Sequence, residues 1–266
     1  MTTDNQRIDK NMTTDNQRLN GRIALVTGAS RGLGLEIART FIRQGATVIM
    51  TARDTKGLHA AAEALGPQAI GMAADVGDSG QVAVLFSMIK ERFGRLDVLV
   101  NNAALGIPAR IEDTSDEVLH AQIHCNLYGP ILCIRAAVPL MRAAGGGEII
   151  SVSSESVNLP FPLLAVYAAT KAGLEALSKG LRGELGPDNI RVSVLRAGTM
   201  ANTTFGAAWT PEQQKTAFEL WGRTGHLAMV GHQGGGVQPS VIANTILDMA
   251  TLASSGSIDL IELRAR

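Results

Sequence analysis

The chain has 266 residues, of which 45% are hydrophobic and 18% are charged, so its composition is typical of a globular protein and not of a disordered one. Its formal net charge is +0 and it has no basic block, which gives no support to a nucleic-acid or anionic-membrane partner. No apolar run approaches the roughly 18 to 20 residues that span a bilayer, and the polar N-terminus lacks the apolar segment of a signal peptide. Two cysteines, Cys125 and Cys133, are too few for a disulfide framework and suit a reducing compartment, so we expect a cytoplasmic protein.

The first nineteen residues differ from the rest of the chain. The heptapeptide MTTDNQR occurs at Met1–Arg7 and again at Met12–Arg18. A tandem copy of a polar segment is more typical of a cloning or start-site artefact than of a functional repeat. We therefore predict a flexible N-terminal tail over residues 1–19 and one folded domain over residues 20–266.

Short apolar runs alternate with amphipathic segments along the rest of the chain. The predicted strands are, in order, RIALVT, TVIMT, AIGMAADV, LDVLVNNAA, GEIISVSS, IRVSVLRAG and IDLIEL. The predicted helices are LGLEIARTFIRQG, TKGLHAAAEALG, SGQVAVLFSMIKERFG, roughly Asp116–Ala144, about Leu164 to Leu185, PEQQKTAFELWG and SVIANTILDMATLA. Strands that are apolar throughout are buried on both faces, as in a parallel sheet covered by helices. This pattern predicts an α/β fold: a single-domain, Rossmann-like, doubly wound parallel sheet of about seven strands with helices on both faces.

The first strand–helix turn, TGASRGLG, is the first candidate site. Gly28, Gly32 and Gly34 let backbone N–H groups approach a phosphate, and the N-terminus of the following helix adds partial positive charge. Glycine spacing alone is weak evidence, since it also occurs in tight turns. Its position on the first turn of a βαβ unit predicts nucleotide binding.

The end of the second strand, VIMTARD, bears on the choice of nucleotide. An acidic residue there would accept a hydrogen bond from the ribose 2′-OH of NAD, but Ala52 stands at that place and Arg53 follows it. Arg31 brings a second guanidinium group to the same region, and two such groups suit a 2′-phosphate. We therefore expect NADP to be preferred, with NAD possible. The alternative is that Arg53 points into solvent and Asp54 reaches the ribose.

Tyr167 and Lys171 are the candidate catalytic pair. They are four residues apart on a predicted helix and therefore share one face of it. The ordinary pKa of tyrosine, near 10, is too high for efficient proton exchange at neutral pH. A nearby ammonium group favours the phenolate and is expected to lower the pKa of Tyr167. The alternative is an ordinary pair on the surface of a helix.

Taken together, these motifs resemble those of the short-chain dehydrogenase/reductase family in its core single-domain form. The matching motifs are TGASRGLG, NNAA at Asn101–Ala104, NLYGP from Asn126, SVSS ending at Ser154, YAATK and IRVSVLRAG.

The resemblance implies roles for the candidate catalytic residues. Tyr167 would be the general acid toward a carbonyl oxygen or the base toward an alcohol, and Ser154 would hydrogen-bond the same oxygen. Lys171 would tune Tyr167 and bind ribose hydroxyls, and Asn126 would support a water relay to Lys171. Ser153 is the rival of Ser154, although neighbouring side chains of a strand point in opposite directions.

The resemblance also implies a set of cofactor contacts. The implied contacts are Gly28, Ser30, Arg31, Leu33, Gly34, Arg53, Asp75, Val76, Asn102, Ala103, Tyr167, Lys171, Gly198 and Thr203. Near the nicotinamide amide, Asn202 is the alternative to Thr203. Ala197–Gly198 stands where the family usually has Pro-Gly, and this departure counts against a 3-oxoacyl thioester reductase. That activity and a non-catalytic nucleotide-binding regulatory protein are the alternatives to an NADP-dependent oxidoreductase.

Substrate, partner and metal expectations complete the prediction. The segment 199–239 is expected to form a lid over a small, moderately apolar carbonyl or alcohol substrate, although its aromatic residues could equally be ordinary core: Phe205, Trp209, Phe218 and Trp221. The resemblance implies a homotetramer or homodimer assembled through the helices at 116–144 and 164–185. His120, His124 and Cys125 lie close together in sequence, but no further ligand has suitable spacing, so no metal site is predicted.

Overall fold

Seven parallel strands form one sheet among the residues that the computed structural model describes, 17–201, 204–229 and 236–265. The strands are β1 (Ile23–Thr27), β2 (Thr47–Thr51), β3 (Ala69–Gly71), β4 (Val98–Asn101), β5 (Gly147–Ser154), β6 (Ile190–Ala197) and β7 (Leu260–Leu263). Their order in the sheet is β3-β2-β1-β4-β5-β6-β7, and each neighbouring pair runs parallel. The order reverses between β1 and β4, where a doubly wound sheet opens a crevice.

Helices cover both faces of the sheet. They are α1 (Gly32–Arg43), α2 (Thr55–Leu65), α3 (Ser79–Phe93), α4 (Asp116–Ile123), α5 (Gly129–Ala143), α6 (Ala165–Leu185), α7 (Pro211–Arg223), α8 (His226–Met229) and α9 (Pro239–Ala250). Successive residues of β1 point to opposite faces: Val26 packs in the core that contains Phe41 and Ile246, and Leu25 packs in the core that contains Phe86 and Met141. The predicted Rossmann-like fold with helices on both faces is confirmed.

The helix predicted over Asp116–Ala144 is confirmed as one helical run, Asp116–Ala143. A turn of π-helix at His124–Tyr128 lies inside it and joins α4 to α5. By length and apolarity alone the run Asp116–Ala143 could cross a membrane, but half of its most apolar window is buried inside the fold. Core helices pass the same test, so this is weak evidence for a membrane span.

Two predicted boundaries differ from the structure. The third strand was expected to reach Val76 but ends at Gly71, because the chain turns toward the cap of α3 formed by Asp78. Leu19 is fully buried in the core, so the folded part of the chain begins before residue 20. Residues 1–16 of the predicted flexible tail lie outside the described residues.

Candidate active site

The glycine turn after β1 lets the backbone pass close to itself at the start of α1. Gly28 and Gly32 have φ angles of +66° and +57°, a region that side chains other than glycine rarely adopt. A Cβ atom on Gly34 would stand 2.3 Å from the carbonyl oxygen of Gly28. The three glycines are therefore required by the geometry of this turn, which leaves the N-terminus of α1 open to a ligand.

A cleft of about 330 Å³ lies beside this turn, at the carboxyl ends of β1, β2 and β4. We call it the glycine cleft. It collects ten of the cofactor contacts implied by the resemblance: Gly28, Ser30, Arg31, Leu33, Gly34, Arg53, Asp75, Val76, Asn102 and Ala103. Three of the four other implied contacts, Tyr167, Lys171 and Gly198, line an adjoining cavity. The last, Thr203, lies outside the described residues, as does its alternative Asn202.

The charged groups at the end of β2 have different environments. Arg53 and Arg31 are exposed and both line the glycine cleft. Asp54 caps α2, since its Oδ1 accepts a hydrogen bond from the backbone N–H of Gly57 at 3.1 Å. Asp54 itself lines the glycine cleft, and the cap bond uses one of its two carboxylate oxygens.

Thr27 joins the two strands that form the crevice, a role that the motif reading missed. Its Oγ1 accepts hydrogen bonds from the backbone N–H groups of Asn102 and Ala103, each at 3.0 Å. The Asn102 side chain donates in return to the carbonyl oxygen of Thr27 at 2.9 Å. The only sequence signal was a threonine at the end of the first strand, just before the glycine turn.

Tyr167 and Lys171 lie on α6 and are both buried, at 8% and 1% exposure, so the alternative of a surface pair is wrong. The Lys171 Nζ donates a hydrogen bond to the carbonyl oxygen of Val152 at 2.8 Å and lies 5.8 Å from the centre of the Tyr167 ring. The helix therefore holds the phenol and the ammonium group on one buried face, against β5.

Ser154 ends β5, and its Oγ accepts a hydrogen bond from the backbone N–H of Ser156 at 3.2 Å. The same hydroxyl lies close enough to Tyr167 to lower the pKa of the phenol. The Ser153 hydroxyl instead donates to Glu175 at 2.6 Å. Because successive side chains of a strand point in opposite directions, the two serines have different partners. Ser154 is the one whose hydroxyl meets Tyr167.

Asn126 lies in the π-helical turn and is fully buried. Its side-chain amide donates to the carbonyl oxygen of Leu105 at 2.7 Å and to Thr170 Oγ1 at 3.1 Å, and its Oδ1 accepts from the N–H of Leu105 at 2.7 Å. The side chain therefore ties the loop after β4 to α6, and Thr170 is a partner that the sequence did not identify. A water relay from Asn126 to Lys171 stays a prediction.

The pKa values in this site are controlled by burial. Burial raises the pKa of Tyr167 to about 12, and the hydrogen bond with Ser154 offsets part of that rise. Burial also lowers the pKa of Lys171 to about 8. The expected lowering of the tyrosine pKa is wrong for this structure, because loss of solvation disfavours the phenolate more than the Ser154 hydroxyl favours it. At pH 7 the pair is a neutral phenol beside a mostly protonated amine.

A second cavity, of about 590 Å³, opens beside Ser154 and Tyr167. We call it the aromatic cavity, because rings from the segment after β5 and from the described part of 199–239 line it: Phe161, Phe205, Trp209, Phe218 and Trp221. Trp209 and Trp221 are 8% and 5% exposed. Of the aromatic residues expected in a lid, Phe205, Trp209 and Trp221 both border the cavity and pack in a small core, whereas Phe218 borders the cavity but is exposed.

Glu155, immediately after Ser154, holds the loop that follows β6. Its Oε1 accepts hydrogen bonds from the backbone N–H of Thr199 at 2.8 Å and from the Thr199 hydroxyl at 2.9 Å. Sequence reasoning missed this contact, because it joins residues 44 positions apart. It places the backbone after Gly198 at the border of the aromatic cavity.

Comparison with known proteins identifies the family of the chain. Residues 22–214 match the family model described as short chain dehydrogenase. An uncharacterized oxidoreductase of Methylorubrum extorquens is 39% identical over 184 residues, which cover 68% of this chain and 73% of the relative.

Two solved structures share the fold over nearly their whole length. L-sorbose reductase from Gluconobacter frateurii, complexed with NADPH and L-sorbose, has a TM-score of 0.80 at 30% identity, with 93% of this chain and 97% of that one covered. A 3-ketoacyl-(acyl-carrier-protein) reductase from Brucella melitensis, complexed with NADH, has a TM-score of 0.79 at 27% identity, with 92% and 97% covered. With the family model spanning most of the chain, the protein belongs to the short-chain dehydrogenase/reductase family of oxidoreductases.

Proposed function

We propose that this oxidoreductase depends on NADP and transfers a hydride between nicotinamide and a small, moderately apolar carbonyl or alcohol substrate. The observation that carries the proposal is the position of Ser154, Tyr167 and Lys171. They lie at the floor of an apolar cavity that adjoins the glycine cleft.

The described residues fit a dinucleotide. A side chain on Gly34 would fill the turn, and the open N-terminus of α1 suits a pyrophosphate. Asp75, Val76, Asn102 and Ala103 would border the adenosine half. Tyr167, Lys171 and Gly198 would border the nicotinamide half, and the cofactor, when bound, would supply or accept the hydride.

The chain's own groups would handle the proton. Ser154 and Tyr167 both line the aromatic cavity, where their hydroxyls would hydrogen-bond the substrate oxygen and orient its carbonyl group. In reduction Tyr167, neutral at pH 7, would donate its proton to that oxygen. The Lys171 ammonium would stabilise the phenolate left behind. Asn126 would keep the loop after β4 and the π-helical turn in place around the pair.

A panel of ketones, aldehydes and 3-oxoacyl thioesters, assayed by the loss of NADPH absorbance, tests the activity. Tyr167→Phe should lower kcat by about 10²- to 10⁴-fold, the range of general acid–base catalysis, with little change in the Kd for NADPH. Turnover of thioesters alone would favour the second candidate, a 3-oxoacyl reductase, which the similarity to the Brucella melitensis enzyme supports. Tight NADPH binding without turnover of any compound would favour a regulatory protein.

The preference for NADP rests on Arg31 and Arg53, with Asp54 engaged as a helix cap. Hydrogen bonds to charged groups contribute about 1.5 to 3 kcal/mol each, so Arg53→Asp should lower kcat/KM for NADPH by about 10- to 100-fold and leave NADH less affected. Arg92→Asp, an exposed site on α3, is the control. Equal efficiency of the wild-type enzyme with both cofactors would refute the preference.

Two features of the proposal concern the whole protein. We propose a cytoplasmic homotetramer or homodimer assembled through the helices at 116–144 and 164–185, where Ile123, Tyr128 and Ile131 are exposed apolar side chains. Light scattering on Ile131→Arg should then show a smaller assembly than the wild type. An unchanged mass would contradict this interface.

A further inference from the structure

Aromatic residues are concentrated at one place in this chain. Only 4% of the residues are aromatic, yet both tryptophans and three of the six phenylalanines line the aromatic cavity. Tyr167 lies at the floor of the same cavity. So dense a set of rings around a candidate proton donor indicates what kind of molecule the cavity accommodates.

The rings form an interlocked wall around Trp221. Its ring meets Phe161, Trp209 and Phe218 edge to face, with centres 5.1, 5.9 and 5.5 Å apart and planes at 73° to 76°. Edge-to-face contacts of this kind are favourable beyond the apolar area that they bury. The wall is therefore held in one arrangement by its own packing.

The two indole N–H groups are already used by the backbone. Trp209 Nε1 donates to the carbonyl oxygen of Gly106 at 2.6 Å, and Trp221 Nε1 donates to the carbonyl oxygen of Pro162 at 2.8 Å. These bonds fix the ring planes and leave the indoles with only apolar surface for a ligand. This part of the wall recognises flat apolar groups and offers no polar partner.

Three other polar groups of the cavity also have partners within the protein. Glu155 is bonded to Thr199, Ser153 is bonded to Glu175, and the Gln214 amide donates to the carbonyl oxygen of Gly206 at 3.4 Å. A substrate with many hydroxyl groups would have to bury them against rings, and each buried hydroxyl without a partner is unfavourable. The wall thus disfavours polyols and sugars.

We propose that the substrate is an aryl ketone, or the matching secondary alcohol, whose aromatic group packs against Trp209 and Trp221. This inference rests on the proposed function. In reduction the ketone carbon would accept a hydride from the reduced nicotinamide and the ketone oxygen a proton from Tyr167. The products are the secondary alcohol and the oxidised nicotinamide, with the tyrosine proton replaced from solvent.

A matched series of ketones tests the substrate class. With NADPH, kcat/KM for acetophenone should exceed that for 2-butanone and for a ketohexose by at least about 10-fold, since aromatic packing adds to the apolar area buried. Trp221→Leu should lower kcat/KM for acetophenone about 10-fold or more while changing that for 2-butanone by less than about 3-fold. Trp209→Phe, which keeps an aromatic ring, should retain the preference. Phe93→Leu, on α3 and outside the cavity, is the control.

Fluorescence provides a readout that needs no turnover, because the chain's only tryptophans both line this cavity. Acetophenone should quench the tryptophan fluorescence saturably, and a ketohexose should not. The same titration of N-acetyltryptophanamide corrects for absorption of light by the ketone. The inference would be overturned, and the proposed function left standing, by one pair of results: the enzyme reduces 2-butanone, and acetophenone neither quenches the fluorescence nor is reduced. Saturable quenching by acetophenone without turnover of any ketone would instead overturn the proposed function and support binding of an aromatic group in the cavity.

Discussion

Replacing Lys171 with methionine should stabilise the protein while removing its activity. The amine is 1% exposed and its pKa is lowered from 10.5 to about 8, chiefly by burial. Each pKa unit corresponds to about 1.4 kcal/mol, so holding this amine protonated costs the native state about 3 kcal/mol below pH 8. Methionine has a similar length and carries no charge.

The loss of one hydrogen bond offsets part of this gain. Lys171 donates to the carbonyl oxygen of Val152, and a buried carbonyl without its partner costs about 1 to 3 kcal/mol. The expected net effect of Lys171→Met at pH 7 is an increase of about 0 to 2 kcal/mol in the free energy of unfolding.

The sign of the pH dependence distinguishes this explanation from better packing. Between about pH 8 and 10.5 the unfolded chain binds a proton at Lys171 that the native chain has lost, so wild-type stability rises with pH through that window. The advantage of Lys171→Met should therefore shrink across the same window. Better packing alone would give a constant difference.

Urea unfolding followed by circular dichroism, at about pH 7 and about pH 10, measures both quantities. Lys179→Met is the matched control, since Lys179 is exposed on the same helix and should show no pH-dependent difference. A Lys171→Met variant that is less stable than the wild type at pH 7, by an amount that does not change with pH, would refute the reasoning.

Three other predictions follow from the same structure. Gly34→Ala should weaken NADPH binding at least about 10-fold and lower the Tm, because its Cβ would stand 2.3 Å from the Gly28 carbonyl oxygen. Gly180→Ala, with open space around it on α6, should instead raise stability by up to about 1 kcal/mol, and a Tm below the wild type would contradict this. Ketone reduction should fall as pH rises above about 8, because Lys171 loses the charge that supports the Tyr167 phenolate; a rate that keeps rising to about pH 10 would argue against that role.

Much of the fold was predictable because its signals are local. Apolar runs of four to eight residues, each followed by an amphipathic segment, indicate a parallel sheet whatever the rest of the chain does. The ten contacts of the glycine cleft came from the resemblance to a known family, and the structure brings them together because parallel strands have their carboxyl ends at one edge.

Contacts between distant residues could not be predicted in this way. The π-helical turn at His124–Tyr128 accompanies hydrogen bonds from Asn126 to Leu105 and Thr170, which lie 21 and 44 positions away. The hydrogen bond from the Thr199 backbone N–H to the Glu155 carboxylate is another contact between residues far apart in sequence. Periodicity within one segment carries no information about such partners.

The sequence by itself determined the family, the glycine turn and the identity of the candidate catalytic residues, because each depends on which residue types stand at which spacing. Only the tertiary structure decided how those residues behave. Tyr167 and Lys171 share a helix face in the sequence, but their pKa values move toward the neutral forms because packing removes both from water. The aromatic wall is likewise a product of packing, since Phe161 and Trp221 meet only when the chain folds around the cavity. Desolvation depends on the whole surroundings of a group, and a sequence lists only its neighbours along the chain.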